Sequence, residues 1–559
     1  MKYNTIKLAV CCLAFGCLMV SCDFLDSSEA TYYDKDEILY SPSRVSQLCT
    51  QVYSYLPYGL GSEMHDAGSD DAIHVYPTAS VCKFTNGTWS ANNTIDDVFG
   101  TYYKAIHDAN FYLENCLGLT FDDWKNSDGF ADTYSNYLNY QYEVRCLRAF
   151  YYFELVKRYK NIPLVTHTLT EQEADTISPA PASKVLDFVV AELDTVAKYL
   201  PNKATDLRGA ASNMQRMSKG AALALKSRVT LYQASPLFAG SDDQGKWKKA
   251  AAAAYDVIRQ ASAFGFALDG NYSNLFGSTN NQSPEIIICR PGGKTTSFES
   301  ANFPMGVKNG NGSTCPTENL VDAYEMKDGS SFDWSNPQEA ANPYKNRDPR
   351  LAMTVVYNGM TWPAKSAVET FEGGKNGLPL QNATTTGYYL KKYVNNNTTF
   401  EAGQTTTSYD HNWVIMRYAE ILMNYAEAAA HAYGPDVVPE GYTLSARDAV
   451  NKVRARKGVS MPPYPQGMTT EAFLARLENE RRVEFAFEDQ RFWDLRRWKQ
   501  LDEMRQVYKV SIQKQEDGSY QYTKGLLDTY DISDKMYFYP FSNAELFKNR
   551  SLVQNDGWK

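Results

Sequence analysis

The sequence has few of the residue patterns that mark common catalytic and metal sites. Its six histidines are dispersed, and neither the HExxH zinc motif nor the G-x-S-x-G nucleophile elbow occurs. The stretch GGKT at residues 292–295 resembles the end of a phosphate-binding loop, but Ile288 occupies the position of the leading glycine. These absences argue against a zinc protease, an α/β hydrolase and a P-loop nucleotide-binding protein.

Basic clusters and cysteine pairs are also scarce. The formal net charge is -9, the pI is near 5.4 and no block of basic residues occurs, which argues against nucleic-acid binding. No CxxC pair is present after residue 22, which argues against a zinc ribbon or a disulfide-dense scaffold and leaves one or two disulfides open. The cysteines that remain there are Cys49, Cys82, Cys116, Cys146, Cys289 and Cys315.

The longest apolar run is the N-terminal stretch Leu8–Val20. It is too short to span a bilayer as a helix and is typical of a signal peptide. The run is followed by Ser21 and Cys22, a small residue before a cysteine, which is the pattern that a lipoprotein signal peptidase cleaves. We therefore predict a signal peptide over residues 1–21 and lipid on Cys22, with Cys17 as a weaker alternative.

Apolar residues repeat at helical spacing over several segments. The clearest is Tyr140–Tyr159, where two apolar stripes predict a helix packed between neighbours. Paired helices with alanine-rich contacts favour a mainly α fold with tetratricopeptide-like helix pairs, although we find no fixed-period repeat. The other segments with helical periodicity are 182–199, 218–235, 247–264, 417–433, 445–457 and 470–498.

Two long stretches, 60–95 and 266–412, are instead rich in Gly, Asn, Thr and Ser and predict loops with short strands. A rigid frame can hold such loops open to a ligand, so we expect the function to lie there. The mature chain is then one domain, 22–559, with an N-terminal part to about residue 265, a loop-rich insert over about 266–412 and a C-terminal part over about 413–559.

A polar cluster lies in the first of these loops. Two carboxylates there could act as an acid/base pair or bind calcium. Carboxylates in Gly/Ser-rich loops are more often solvated turn residues, so we predict no catalytic residue and no metal, and calcium is an alternative without a supporting motif. The cluster consists of Glu63, His65, Asp66, Asp70, Asp71 and His74.

Aromatic residues make up 13% of the chain, and some of them lie in the loops among Asn, Gly, Ser and Thr. A sugar ring has apolar faces and a polar rim, so a sugar site needs flat aromatic rings and hydrogen-bonding side chains. Trp89 and Asn92 supply both within one turn. This favours a sugar-binding loop, with a role in covering the core as the alternative for any single loop tryptophan.

Seven blocks of sequence occur in a recognisable order. They are CDFLD (22–26), YYKAIHDANFYLEN (102–115), VRCLRAFYYFELVKRYKNIPLV (144–165), TENLVDAYEMKDG (317–329), RYAEILMNYAEAA (417–429), ERRVEFAFEDQRFWDLRRWK (480–499) and YFYPFSNAELFKNRSLVQNDGW (537–558). Over almost its whole length the chain resembles the SusD/RagB family, surface lipoproteins that bind nutrients beside a TonB-dependent transporter in Bacteroidetes.

The block at 480–499 crowds acidic residues and arginines together, which invites a catalytic interpretation. Residues three apart can pair along one helix while aromatic side chains anchor it, so the spacing favours a structural frame. The pairs expected are Arg481 with Glu484, Glu488 with Arg491 and Asp494 with Arg497.

The resemblance implies a mainly helical scaffold with a loop-rich ligand face, no catalysis and no cofactor. It implies a protein tethered through Cys22 to the outer membrane, facing outward, that captures a glycan and delivers it to a SusC-like TonB-dependent barrel. Two alternatives stay open at this point. One is a peptide-binding member of the same family, and the other is an all-helical glycoside hydrolase using Asp70 or Asp71.

The resemblance also implies ligand-binding residues. A family Trp-x-x-Asn element falls on Trp89 and Asn92, and an acidic contact falls on Asp70 or Asp71. No motif aligns the second aromatic of the sugar-binding arc, for which the candidates are Phe303, Trp334 and Trp362.

Overall fold

The computed structural model describes residues 34–207, 216–363 and 366–558, so the predicted signal peptide and Cys22 lie outside the described residues. Within these ranges the protein is mainly helical, as predicted. The α-helices are α1 (Lys35–Tyr40), α2 (Pro42–Tyr53), α3 (Phe99–Asn115), α4 (Phe130–Tyr159), α5 (Glu171–Thr176), α6 (Ala182–Val196), α7 (Lys219–Ala234), α8 (Pro236–Ala239), α9 (Gln244–Phe264), α10 (Ser297–Asn302), α11 (Glu318–Ala323), α12 (Pro337–Ala340), α13 (Pro349–Thr354), α14 (Tyr418–Tyr433), α15 (Ala446–Arg454), α16 (Thr470–Glu484), α17 (Gln490–Trp498) and α18 (Asn543–Lys548).

The long helices pack on one another in chain order. Helix α3 packs on α4, α4 on α6, α6 on α7, α7 on α9, α9 on α14, and α14 on α15. A stack of this kind buries a continuous core between successive helix pairs. The tetratricopeptide-like frame predicted from periodicity is therefore confirmed.

Helix α4 is the centre of the N-terminal half. Nearly every side chain from Glu143 to Tyr159 is buried, which confirms the prediction of a helix enclosed by neighbours. The helix begins at Phe130, ten residues before the predicted start at Tyr140, because its first turns are polar and show no clear stripe. It ends at Tyr159, where Lys160 takes a positive φ of 65°.

The segment 470–498, predicted as one helix, forms two helices, α16 and α17. The chain breaks between them because Phe487 and Asp489 adopt left-handed φ values of 60° and 62°. Contacts with the first loop stabilise this break, since the Phe487 N–H donates to the Asp66 carboxylate at 2.9 Å. The Asp489 carboxylate in turn lies 3.3 Å from His65. A loop more than 400 residues away in the chain therefore sets the boundary of both helices.

Most of the described strands are short, and they pair only in antiparallel twos. The pairs are β1 with β4, β2 with β8, β3 with β7, β5 with β6 and β9 with β10. The strands are β1 (Ala72–His74), β2 (Ile286–Arg290), β3 (Lys294–Thr295), β4 (Thr314–Pro316), β5 (Val355–Val356), β6 (Tyr389–Leu390), β7 (Tyr409–Asp410), β8 (Trp413–Arg417), β9 (Gln506–Lys514) and β10 (Tyr520–Thr529).

The GGKT stretch lies at the β3–β7 pair and is not a phosphate loop. A Cβ atom on Gly292 would lie 1.9 Å from the His411 carbonyl oxygen and 2.6 Å from the Tyr58 hydroxyl. Gly292 therefore allows two segments to pack closely, and Lys294 and Thr295 pair with β7.

A buried network of arginines and glutamates joins the C-terminal helices to the loop-rich insert. Arg417, which is 1% exposed, pairs with Glu285, Glu484 and Glu488, each at 2.7 Å. The network confirms the structural role predicted for the block at 480–499. Its pairing differs from the prediction: Asp494 does pair with Arg497, at 2.7 Å, whereas the other residues pair with side chains other than the predicted ones. These are Arg350, Arg417 and Arg456 for Glu484, Lys392 and Arg417 for Glu488, Asp494 for Arg481, and Asp70 and Glu503 for Arg491.

The six cysteines left open for disulfide pairing, Cys49 through Cys315, are all free thiols. Burial raises the pKa of several of these thiols, including that of Cys146. Among the described residues there is no helix of the length and apolarity needed to cross a membrane. In the same residues no three His, Cys, Asp or Glu side chains are grouped so that they could hold a metal ion.

Candidate functional site

The predicted sugar-stacking residue Trp89 lies in the core. Its side chain is 2% exposed and is enclosed by the rings of Phe84, Tyr539 and Trp558, with centroid distances of 5.0, 4.8 and 4.8 Å. The prediction that Trp89 stacks on a ligand is therefore wrong for this structure, because none of its faces is open. Trp89 instead packs the C-terminal tail onto the frame.

Replacing Trp89 by alanine should lower the free energy of unfolding by about 3–5 kcal/mol, because the change leaves a large cavity among three aromatic rings. The expected result is a lower urea midpoint with ligand affinity unchanged in the protein that remains folded. A Trp89→Ala protein of full stability and reduced affinity would show that the ring reaches the ligand after all.

Its neighbour Asn92 is exposed and accepts a hydrogen bond from the Asn543 side chain at 2.6 Å. Asn92 stays available at the surface, but the ring that was expected beside it faces inward. The Trp-x-x-Asn element does not form a combined stacking and hydrogen-bonding site.

The acidic residues Asp70 and Asp71 are buried and ion-paired, so the prediction that they contact ligand is also wrong. Asp70 is 2% exposed and pairs with Arg482 at 2.8 Å and Arg491 at 3.1 Å, while Asp71 pairs with Arg482 at 2.6 Å. Burial raises the pKa of Asp70, but the two guanidinium groups outweigh it and hold that pKa below its ordinary value. Both carboxylates fasten the first loop to α16 and α17.

Phe303 is 1% exposed and lies beneath two other aromatic rings. It makes edge-to-face contacts with Trp362 at 5.9 Å and with Phe400 at 6.0 Å. Phe303 is thus too deep to contact a ligand, contrary to the prediction. The rings that it supports, Trp362 and Phe400, form parts of the walls of two surface depressions.

Trp334 lies apart from these depressions. It is half-buried, packs edge-to-face on Phe332 and donates its indole N–H to Asp322 at 2.9 Å. One side of its ring therefore packs on a protein side chain. Trp334 does not lie beside any of the other predicted ligand-binding residues that the structure describes.

The first depression is an open groove of about 830 Å³ on the loop-rich face. Phe400 and Tyr76, both partly buried, supply its aromatic surface. The rest of the lining is polar or small: Ser62, Glu63, His74, Thr78, Ala79, Thr296, Ser297, Ser300, Ala301, Asn309, Asn311 and Ser313. Aromatic faces beside neutral hydrogen-bonding groups are the combination that a sugar requires.

Strand β1 and helix α10 position the walls of this groove. β1 pairs with β4, and the Val75 N–H donates to the Ser313 carbonyl at 2.8 Å. The segment after α10 folds back along it, with N–H groups of Asn311 and Ser313 donating to carbonyls of α10 at 3.0 and 2.8 Å. Asn309, at a positive φ of 58°, makes the return turn. Asparagine tolerates this conformation better than most residues.

His74 is fixed in the groove wall by contacts with backbone groups. Its Nδ1 accepts the Tyr76 N–H at 3.1 Å, and its Nε2 lies 3.2 Å from the Ser62 carbonyl oxygen, which only an N–H can satisfy. Nδ1 also lies 3.3 Å from the Tyr76 carbonyl oxygen. His74 therefore orders the loop that carries Tyr76.

Several polar groups of the groove have no protein partner. Among the described residues, neither the Tyr76 hydroxyl nor the Asn309 side-chain amide makes a hydrogen bond. These groups remain available to hydroxyls of a ligand. Glu63 is the only acid among the described lining residues, and one of its oxygens accepts the Val81 N–H at 2.8 Å.

The second depression, of about 550 Å³, lies on the other side of Phe303. Trp362 lies in its wall with the asparagine run 395–397 and Asp410. Only 5% of Trp362 is exposed, so little of its ring is open to stack on a ligand, contrary to the prediction. The run leads directly to Phe400, so one short segment contributes to the walls of both depressions. Both combine an aromatic ring with asparagine side chains.

A third, more enclosed cavity of about 310 Å³ lies inside the helical frame and is lined by charged groups. His65 is one of them, at 3.3 Å from Asp489 and 3.6 Å from Asp96. Burial lowers the pKa of His65 and Arg158 opposes its charge, but the two carboxylates outweigh both effects and raise the pKa to about 8. His65 in its charged form ties the first loop to the start of α17.

This shift predicts a pH-dependent stability. Because the folded pKa of His65 lies above the unfolded value, the stabilisation is fully present below about pH 6.5 and is lost as the pH rises through about 8. It amounts to on the order of 2 kcal/mol. In urea unfolding of wild type and His65→Asn, the difference between the two should shrink from about pH 6 to about pH 9. A difference that stays constant over this range would contradict the assignment.

Two family models match the chain, each over a different part. The model described as the SusD family matches residues 280–558, and one described as starch-binding associating with outer membrane matches residues 23–231. The chain belongs to the SusD/RagB family. The resemblance seen in the sequence blocks is thereby confirmed. The two matches cover most of the helical frame, with α9 outside both, and most of the loop-rich face.

Relatives and solved structures agree with this membership. SusD-like protein P25 of Formosa agariphila is 22% identical, over 87% of this chain and 88% of its own length. A SusD-like protein of Bacteroides fragilis is 27% identical, with a TM-score of 0.75 over 94% of this chain and 98% of its own. A SusD-like carbohydrate binding protein of the same organism is 25% identical, with a TM-score of 0.72 over 92% of this chain and 100% of its own.

Sequence reasoning missed Phe400, Tyr76 and Asn309, which the structure brings together in the groove. They come from three segments separated by more than 80 residues each. The available signal was weak: each is an aromatic residue or asparagine beside Pro, Gly or Thr in a stretch already assigned to loops.

Proposed function

We propose that this protein is a non-catalytic glycan-binding lipoprotein that captures oligosaccharide at the cell surface and passes it to a TonB-dependent, SusC-like outer-membrane barrel. The observation that carries the proposal is the open groove, in which Phe400 and Tyr76 stand beside unpaired polar groups. Membership of the SusD/RagB family, and the carbohydrate-binding relative of similar fold, support it.

The composition of the groove favours binding over hydrolysis. A glycoside hydrolase needs two carboxylates across the scissile bond, and Glu63 is the single acid of the described groove lining. Asp70 and Asp71, the carboxylates considered for a hydrolase, are buried and paired with arginines. A shallow, polar groove of this kind suits wet binding of modest affinity.

A binding screen of the purified chain against glycan and peptide arrays tests the proposal. The expected result is saturable binding to one class of oligosaccharide without loss of the glycan on long incubation. Binding to peptides alone would favour the peptide-binding alternative. Turnover of the bound glycan would favour the hydrolase.

The lipid anchor and the outward-facing location at the outer membrane are part of the same proposal. Lipid on Cys22 would anchor the chain, with more than one acyl chain needed for stable attachment. Protease treatment of intact cells should digest the protein. If it survives until the envelope is broken, the outward-facing assignment is wrong. Replacing Cys22 by alanine tests the lipid anchor separately, and it should release the protein from the membrane fraction whichever way the protein faces.

A further inference from the structure

The charge of the groove limits the class of glycan that it can take. Its described lining contains no lysine or arginine, and both ring nitrogens of His74 are engaged by backbone groups of Tyr76 and Ser62. The remaining charge is the Glu63 carboxylate, which keeps one oxygen free of the Val81 N–H. A ligand in this groove therefore meets a weakly negative, hydrogen-bonding wall.

The lysines in the lining of the second depression do not offset this negative charge, because their ammonium groups already have protein partners. The Lys392 ammonium donates to the Tyr272 hydroxyl, the Ala486 carbonyl and Glu488, which uses all three of its hydrogens. Lys391 donates to the Ala352 carbonyl at 2.7 Å. Asp410 adds a further acid to this lining.

Acidic polysaccharides carry a carboxylate or sulfate on most sugar units. Moving such a group from water against a wall without a counter-charge costs free energy, and a nearby carboxylate repels it. Neutral sugars need only hydrogen bonds and a ring to stack on, and the Tyr76 hydroxyl, the Asn309 amide and Phe400 supply these.

We propose that the groove selects neutral oligosaccharides and excludes uronic-acid and sulfated chains. The inference rests on the proposed function and names the ligand class of the same groove. Exposed Lys308, next to Asn309 but outside the lining, is the closest cation in sequence and serves as a control.

Matched probes test this selectivity by calorimetric titration of the purified full chain. The neutral probes are maltohexaose, cellohexaose, mannohexaose, xylohexaose and galactohexaose, and the acidic probes are hexagalacturonate, hexamannuronate and a chondroitin sulfate hexasaccharide. Affinity for at least one neutral probe should exceed that for every acidic probe by roughly tenfold or more, the cost of one unfavourable charge contact.

Two substitutions sharpen the result. Thr78→Lys places a cation in the groove and should raise the affinity for an acidic probe, whereas Lys308→Ala should leave all affinities unchanged. Glu63→Gln keeps the acceptor for the Val81 N–H and should also reduce the discrimination against acidic probes.

The outcomes separate this inference from the proposed function. Binding of acidic probes as tight as or tighter than neutral ones overturns the selectivity and leaves glycan binding in place. Loss of acidic binding in Lys308→Ala would overturn it too, because a cation outside the groove would then be the contact. Failure to bind any glycan, in a chain that circular dichroism shows to be folded, overturns the proposed function itself.

Discussion

Replacing Phe400 by alanine should weaken oligosaccharide binding by about 2 kcal/mol, roughly thirtyfold in Kd. Phe400 is partly buried, lines the groove and packs on buried Phe303, so its ring is held in a fixed position at the edge of the core. A ligand sugar can then stack on it with little loss of side-chain freedom. The measurement is calorimetric titration with the oligosaccharide that the array identifies.

Phe547 provides the matched control for this change. It is 84% exposed on α18, away from the groove lining, so Phe547→Ala should leave the affinity unchanged. Tyr76→Phe keeps the ring and removes a hydroxyl that has no described partner, so it should cost a smaller part of the affinity, on the order of 1 kcal/mol. Equal affinity of wild type and Phe400→Ala for every glycan bound would place the site elsewhere.

Replacing Arg417 by methionine should lower the free energy of unfolding by about 3–5 kcal/mol, because it leaves three buried carboxylates without their common partner. Arg417 also lies over the Phe485 ring, at 4.5 Å from its centroid, so packing is lost with the charge. The measurement is the urea midpoint of the purified protein.

An exposed ion pair gives the comparison for Arg417. Arg259, which pairs with Asp256 along α9, has a side chain that is 57% exposed, and Arg259→Met should change stability by less than about 1 kcal/mol. If Arg417→Met were as stable as Arg259→Met, the buried network would not be what joins the C-terminal helices to the insert. Reduced glycan affinity at unchanged stability would instead show that the network acts on the ligand site rather than on the stability of the fold.

The helical frame could be predicted from the sequence because apolar periodicity carries most of the information about a helix packed against others. Helices α6, α7, α9, α14 and α15 begin and end close to the predicted segments. The break between α16 and α17 could not be predicted, because a positive φ at Phe487 is unfavourable locally and is held by a hydrogen bond to Asp66, distant in sequence.

The ligand residues were harder to predict than the frame. Trp89 sits in a Gly/Asn-rich stretch typical of an exposed loop, but the C-terminal residues Tyr539 and Trp558 fold over it. Asp70 and Asp71 look like solvated turn residues until α16 and α17 bring Arg482 and Arg491 against them. In each case the exposure of a side chain depends on a segment hundreds of residues away, which local composition does not record.

Backbone hydrogen exchange with and without a saturating bound oligosaccharide tests the central claim, that the loop-rich groove is the binding site. The account predicts slower exchange in residues 74–80, in 296–313 and around Phe400, the segments that form the groove walls. Exchange in α6 and α7 should not change. Protection confined to segments outside the groove, with 74–80 and 296–313 exchanging as in the free protein, would contradict it.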